Sequence, residues 1–346
     1  MRTGNRPRRP TTDSHCACGE PSRCGAPRES CENGMMRIVF AGTPEFAVPS
    51  LRALHAAGHD IVGVITREDA PLGRKRILSP SPVALAAEEL GLEILKANRL
   101  GEEATNWVAE KSPELGVIVA YGGLVREPLL SLPDQGWVNL HFSELPRWRG
   151  AAPVQRALQA GEQRLGVTVF RLVEALDAGD VLTRDSFEFA PGTSAGAALT
   201  WLAERGTGAL LRAVNGLQDG SLVGEPQQGE ASYAHKLSRD DGKLDVAAPT
   251  ADVLAHWAGM TPEPGAFVLV EDQPLKLLEL RAVDGPDDVA GAGLDLAQAT
   301  ASLHGGMAIL HLSDGALELV RVQPAGKAAM DGAAWLRGRG GEAGVR

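Results

Sequence analysis

The chain has 346 residues, of which 44% are hydrophobic and 4% aromatic, and its formal net charge is -10. That length is more than one core usually fills, so two domains are expected, and no run approaches the roughly 20 apolar residues that cross a bilayer. The negative balance excludes the continuous basic surface of a general DNA binder, so any nucleic acid must be held by local patches.

Residues 1–35 read as a disordered leader rich in Arg, Pro, Ser and Gly. Its start is basic with no apolar segment behind it, so it does not read as a secretion signal, and a cytoplasmic location is expected. All four cysteines, Cys16, Cys18, Cys24 and Cys31, lie here. They form no Cys-x-x-Cys knuckle and have no apolar shell to pack around an ion, so no metal site is expected. Met35 and Met36 stand directly before the first strand signal, and the functional protein is expected to start there.

From that point apolar runs alternate with helical patterns, which predicts an α/β fold: a Rossmann-like, open and mainly parallel sheet over residues 36–217. The predicted strands are Arg37 to Ala41, Ile61 to Ile65, Gly116 to Tyr121, Gly136 to His141 and Gly166 to Leu172. Pro49 starts a helix that Gly58 ends, Ser81 caps another with Pro82 in its first turn, and a long helix is predicted from Ala195 to Leu217. The first strand ends in Ala-Gly-Thr-Pro-Glu-Phe, with one glycine where a dinucleotide fingerprint needs three, so a nicotinamide enzyme is disfavoured. Residues 218–238 are polar and read as a surface linker. Residues 239–338 show short alternating segments, Ala266 to Glu271, Leu275 to Val283, Met307 to Leu312 and Leu317 to Val322, which suggest a smaller β-barrel domain of the oligonucleotide-binding (OB) type or another small β fold. Residues 339–346 read as a tail.

The chemistry concentrates between Asn139 and Asp180. Asn139 and His141 are two apart on a strand, so both side chains face one way, at the carboxyl end where open α/β sheets place their sites. An amide there can donate to a developing oxyanion, and the imidazole can donate or exchange a proton. Asp177, in a Leu-Asp-Ala-Gly-Asp turn after the next strand, is placed to return to the imidazole and orient it. On spacing alone such a pair in a strand is more often structural than catalytic.

Asn-x-His, followed by Ser143-Glu144-Leu145-Pro146 and the distant Leu-Asp-x-Gly turn, resembles the folate-dependent formyltransferase superfamily. AGTPEFAVPSL at Ala41, SPSPV at Ser79, PRWRGAAPVQRAL at Pro146, YAHKLSRDDGKLD at Tyr233 and QPAGKAAM at Gln323 resemble the branch of it that acts on the methionine carried by initiator tRNA. The resemblance implies transfer of the formyl group of 10-formyltetrahydrofolate to the α-amino group of methionyl initiator tRNA, for translation initiation. It also implies catalysis by Asn139, His141 and Asp177, with a protonated His141 favoured by Asp177. Folate is expected to meet Ser143, Glu144, Leu145, Pro146, Tyr121 and Gly122. The acceptor end of the tRNA is expected at the insertion carrying Arg67, Arg74, Lys75 and Arg76, an irregular loop, and at Arg147 and Arg149, which flank Trp148. No metal and no obligate protein partner is expected, and the chain should act as a monomer. A formyl-folate hydrolase with the same trio, or a non-catalytic folate- or RNA-binding module, are the other readings.

The chain departs from the family pattern in three places. Glu144 stands where the family has leucine, the insertion reads Glu68-Asp69-Ala70-Pro71 with one basic residue fewer, and Thr261-Pro262-Glu263-Pro264 lacks an aromatic. If residue 144 meets folate through its backbone, the exchange costs little; if its side chain packs on folate, affinity falls.

Overall fold

A computed structural model describes Met1 and residues 35–73, 76–283 and 299–346. The cysteine-bearing leader, Arg74, Lys75 and the acidic stretch at Asp284, Asp287 and Asp288 lie outside the described residues.

The N-terminal sheet is built from β1 (Arg37–Gly42), β2 (Asp60–Thr66), β5 (Ile94–Lys96), β6 (Leu115–Val119), β7 (Trp137–His141), β9 (Arg164–Arg171) and β10 (Val181–Glu188), with β3 (Ala70–Leu72), β4 (Ile77–Ser79) and the short β8 (Arg149–Gly150) outside it. Its order is β10-β9-β7-β6-β1-β2-β5. The run from β5 to β7 is parallel, and β9 and β10 are antiparallel additions. Strand β10 was not expected, because its outer face is only half-buried and its sequence, VLTRDSFE, lacks an apolar run.

Both faces of the parallel part are covered, which is why its strands read as unbroken apolar runs. Helices α1 (Val48–Ala56), α2 (Pro82–Glu89), α4 (Pro153–Gln159) and α5 (Ala195–Gln218) bury Leu51, Leu54, Val83, Ala157 and Leu210 against Phe40, Val117, Val138 and Leu140. Ser81 caps α2 through its hydroxyl, as the sequence predicts, and Ser194 caps α5 in the same way. Across the sheet, α3 (Glu102–Lys111) sets Val108 against Val39, Ile65 and Trp137. Alternation along β7 therefore sends Val138 and Leu140 to one face, and Trp137, Asn139 and His141 to the other.

The insertion after β2 is a hairpin, not the irregular loop expected. Ala70 pairs with Ser79 and Leu72 with Ile77, and the Arg76 amide donates to the Gly73 carbonyl at 3.1 Å to close the turn. Leu72, Ile77 and Leu78 supply the strand propensity that outweighs Pro71 and Pro80.

After α5 the chain crosses back over the sheet edge to form β11 (Tyr233–Ala234), parallel to β8. Helix α6 (Thr250–Met260) then packs on α4 so closely that a Cβ on Gly259 would lie 2.4 Å from the Gln155 carbonyl. The C-terminal strands are β12 (Phe267–Val270), β13 (Gln273–Ala282), β14 (Ala299–His304), β15 (Met307–His311), β16 (Ala316–Pro324), β17 (Met330–Asp331) and, after α7 (Gly332–Arg337), β18 (Glu342–Val345). They run antiparallel in the order β12-β13-β16-β15-β14-β18. Leu269 and Arg346 exchange backbone hydrogen bonds of 2.6 and 2.8 Å, which brings the two ends of the sheet together in a nearly closed barrel. Residues 342–345 are thus not a tail: Ala343 and Val345 alternate into the core, a pattern of two apolar side chains too short to read beforehand. Among the described residues, no helix is long and apolar enough to cross a membrane.

Candidate active site

The carboxyl ends of β1, β6 and β7 meet where the strand order reverses, which is where sheets of this kind bind ligands. His141, at the end of β7, is buried, and its Nε2 lies 2.9 Å from the Trp148 carbonyl. A carbonyl only accepts, so Nε2 carries the proton and Nδ1 presents a lone pair. Nδ1 faces Asp177 Oδ2 across 3.9 Å, too far for a direct hydrogen bond. Trp148 adopts φ +59° and Asp177 φ +44°, left-handed conformations that cost energy for such residues and cluster at functional sites.

Burial drives the His141 imidazole below its ordinary pKa, against the pull of Asp177 and the Trp148 carbonyl. That favours a neutral resting ring, whose Nδ1 can accept a proton. Histidine-selective NMR checks this: His141 should be the Nε2–H tautomer at neutral pH and titrate below about 6.5, the unperturbed value. A charged ring at pH 7 would refute it.

Asn139 is partly exposed on the same face as His141, and its amide has no hydrogen-bond partner among the described residues. Asp177 Oδ2 accepts from the Gly150 amide at 2.7 Å. Gly150 sits at φ +121°, and a Cβ there would lie 2.7 Å from the Ala234 carbonyl, so only glycine lets β8 pass between β11 and the Asp177 turn.

Residues 36–214 match the family model described as formyl transferase, and residues 236–340 match the one described as formyl transferase, C-terminal domain. The chain belongs to the formyl transferase family. It is 53% identical over 312 residues to methionyl-tRNA formyltransferase of Leifsonia xyli subsp. xyli (strain CTCB07), covering 89% of this chain and 99% of that one. The methionyl-tRNA formyltransferase of Clavibacter michiganensis subsp. michiganensis (strain NCPPB 382) is 51% identical over 303 residues, covering 88% and 97%. In fold the chain is similar to WlaRD, a sugar 3N-formyl transferase crystallised in the presence of dTDP and 5-N-formyl-THF, with a TM-score of 0.62 at 14% identity, covering 86% of this chain and 100% of that one.

The other residues that resemblance to the formyl transferase family singled out fall into two groups. The first is committed inside the protein. The Ser143 hydroxyl donates to the Arg147 carbonyl at 2.7 Å, and the Ser143 carbonyl accepts from Thr168 Oγ1 at 2.7 Å. Leu145 and Pro146 are buried, and the Leu145 amide donates to Thr168 Oγ1 at 3.2 Å. The Tyr121 ring is buried with its hydroxyl donating to the Ala97 carbonyl at 2.5 Å. Arg67 is tied down on the carbonyls of Tyr121 and Gly122, and Arg149 donates to Gln227 Oε1 from Nη2 at 2.7 Å and Nε at 3.2 Å.

The second group is outward. Glu144 accepts from Arg164 at 2.8 and 3.3 Å, and its side chain lies over Gly166, where a Cβ would come within 2.4 Å of it. Burial resists its ionisation, but Arg164, with Ser186 and Arg184, holds the carboxyl below its usual range. The leucine-to-glutamate departure is thus absorbed by Arg164 and the bare Gly166, in a cavity of about 310 Å³ that also holds Trp148 and Glu162 but none of Asn139, His141 and Asp177. Arg147 is exposed, over the Trp148 ring and paired with Glu162. Arg76 is exposed at the hairpin turn.

Sequence reasoning missed Thr168, which holds the loop after β7, and Gln227, which lies in the polar stretch read as a surface linker. Neither has a local sequence signal: each acts on residues more than 20 positions away.

Proposed function

We propose that this chain transfers the formyl group of 10-formyltetrahydrofolate to the α-amino group of methionyl initiator tRNA. The observation that carries the reading is the buried His141, its Nδ1 facing Asp177 across 3.9 Å, beside an Asn139 amide without a partner among the described residues. Those are a proton acceptor, an anion that steadies the acceptor once charged, and a donor for an oxyanion, the set that acyl transfer to an amine requires.

The folate supplies a formyl carbon on nitrogen. As the amine forms its bond to that carbon, the Asn139 amide donates to the oxygen that gains charge. His141 Nδ1 takes the proton that the amine loses, and Asp177 stabilises the resulting imidazolium. The same proton is returned to the folate nitrogen as its bond to the formyl carbon breaks. Because the side chains of Ser143, Leu145 and Tyr121 and the carbonyls of residues 121, 122 and 143–146 are spent inside the protein, we assign the folate contacts there to the main-chain amides of Tyr121, Gly122, Ser143 and Glu144.

Incubation with methionyl initiator tRNA and 10-formyltetrahydrofolate should yield N-formylmethionyl-tRNA. Formate release that is independent of tRNA would favour the hydrolase and defeat this reading.

Cations for the tRNA fall on Arg74, Lys75, Arg76 and Arg147, since Arg67 and Arg149 are turned inward. The hairpin after β2 stands at the sheet end that carries the site, and net charge -10 leaves few other clusters. Replacing Arg74, Lys75 and Arg76 with alanine should weaken tRNA binding and flatten its log-log salt dependence by about two units, at roughly 0.7 per single-strand phosphate contact. Titrations across salt that give equal slopes for variant and wild type would assign the grip elsewhere.

A further inference from the structure

The segment between α5 and β11 is fastened at two points over the Asp177 turn. Upstream, Glu225 exchanges backbone hydrogen bonds of 2.7 and 2.9 Å with Val181. Downstream, Tyr233 and Ala234 pair with Arg149 and Gly150. Between the two anchors Gln227 is partly buried, and every hydrogen-bonding position of its amide is used. Nε2 donates to the carbonyl of Asp177 at 2.8 Å and to that of Gly179 at 2.9 Å. Oε1 accepts both hydrogen bonds of Arg149, at 2.7 and 3.2 Å.

These bonds close a ring. Arg149 holds the Gln227 oxygen, Gln227 holds the backbone of the turn, and the Gly150 amide, next in chain to Arg149, holds the Asp177 carboxylate. The amide has one workable orientation, because a flip would set its oxygen against two carbonyls and its NH2 against a guanidinium. A fully satisfied polar network of this kind fixes a single geometry. What it fixes is a residue at φ +44° that local preference alone would not hold.

We propose that Gln227, locked by Arg149, is the positioning residue that sets the Asp177 carboxylate against His141 during formyl transfer. The inference rests on the catalytic reading above and adds to it a residue outside the sheet. Gln227 touches neither reacting group; it acts through Asp177. The structure thereby gives Arg149 an internal task in place of a tRNA contact.

The test is steady-state kinetics with the full chain, methionyl initiator tRNA and 10-formyltetrahydrofolate. Gln227→Ala should lower kcat by about 10- to 100-fold, the scale of a misplacement near 1 Å, with both KM values within about twofold. Gln227→Glu should be at least as harmful, since it sets a carboxylate oxygen against the two carbonyls. In an Asp177→Asn background, Gln227→Ala should cost almost nothing more, because its effect passes through that carboxylate. His141 should also titrate lower in Gln227→Ala, as the raising influence of Asp177 recedes. Arg149→Ala gives an independent route to the same loss should Gln227→Ala fold poorly, as judged by its thermal transition.

The proposal is overturned if folded Gln227→Ala keeps the wild-type kcat, or raises only the KM for tRNA. An equal penalty with and without the Asp177 carboxylate also overturns it. Failure of the wild type to formylate methionyl-tRNA would instead defeat the underlying reading, so the two failures are distinct.

Discussion

Removal of the His141 imidazole by alanine, or of the Asp177 charge by asparagine, is expected to lower kcat by about 100-fold or more while the fold persists. The geometry gives the two changes different signatures. His141→Ala deletes the proton acceptor assigned to the amine and frees the Trp148 carbonyl, so the loss should be independent of pH. Asp177→Asn keeps a side chain of the same shape beside the Gly150 amide, yet leaves a protonated His141 without its counter-charge, so the barrier rises where charge develops. Asn139→Ala should lie between them, because an oxyanion donor contributes on a similar scale but a water can partly replace it. Single-turnover formylation assays on variants with wild-type thermal transitions decide the matter. Near wild-type turnover in either His141→Ala or Asp177→Asn would remove the trio from catalysis.

The largest effect on stability should come from Trp137→Ala. Its indole is 1% exposed, at the start of the strand that ends in His141. Nε1 donates to the Leu129 carbonyl at 2.9 Å, and the ring lies flush on Gly116, where a Cβ would come within 2.1 Å of it. Truncation should cost about 3–5 kcal/mol, the range for large aromatic residues in cores, and it also leaves the Leu129 carbonyl with only the 3.3 Å hydrogen bond from the Leu132 amide. Gly116→Val should destabilise from the other side, by pushing the ring off its seat, with a loss of about 1–3 kcal/mol. Urea unfolding monitored by far-UV circular dichroism measures both, and an unchanged midpoint for Trp137→Ala would contradict the packing described here.

The elements legible in the sequence are those whose two faces are both buried or whose ends carry chemical punctuation. β1 reads as a strand because Ile38, Val39, Phe40 and Ala41 are all in the core, and α2 reads as a helix because Ser81 caps it. β10 and β18 were not legible, since a half-exposed edge strand and a four-residue closing strand have too few apolar positions to establish a period. His59 reads as a surface residue after Gly58 but is 5% exposed, because the helix-ending turn folds it inward. At the site, the two-residue spacing of Asn139 and His141 sufficed to place them on one face. The approach of Asp177, 36 positions from His141, depends on β9 reversing direction; the Leu-Asp-Ala-Gly-Asp turn after that strand allowed such a return, and the resemblance singled out Asp177. Which arginines face outward was not legible at all. Arg67 and Arg149 look the same in sequence as Arg76 and Arg147, and differ only in having carbonyls or an amide within reach.

The two-point fastening of residues 225–234 bears on how modular this chain is. Composition would invite an engineer to cut at the end of α5 and exchange everything beyond it with a relative's barrel. Such a recombinant would keep Asn139, His141 and Asp177, yet replace Gln227 and the strand that lies beside Arg149 and Gly150. The natural breakpoint is instead after Ala234, so that the apparent spacer travels with the sheet it braces. Chimeras joined at that position should retain turnover that chimeras joined at residue 218 lose, unless the donor carries an amide at the position matching Gln227.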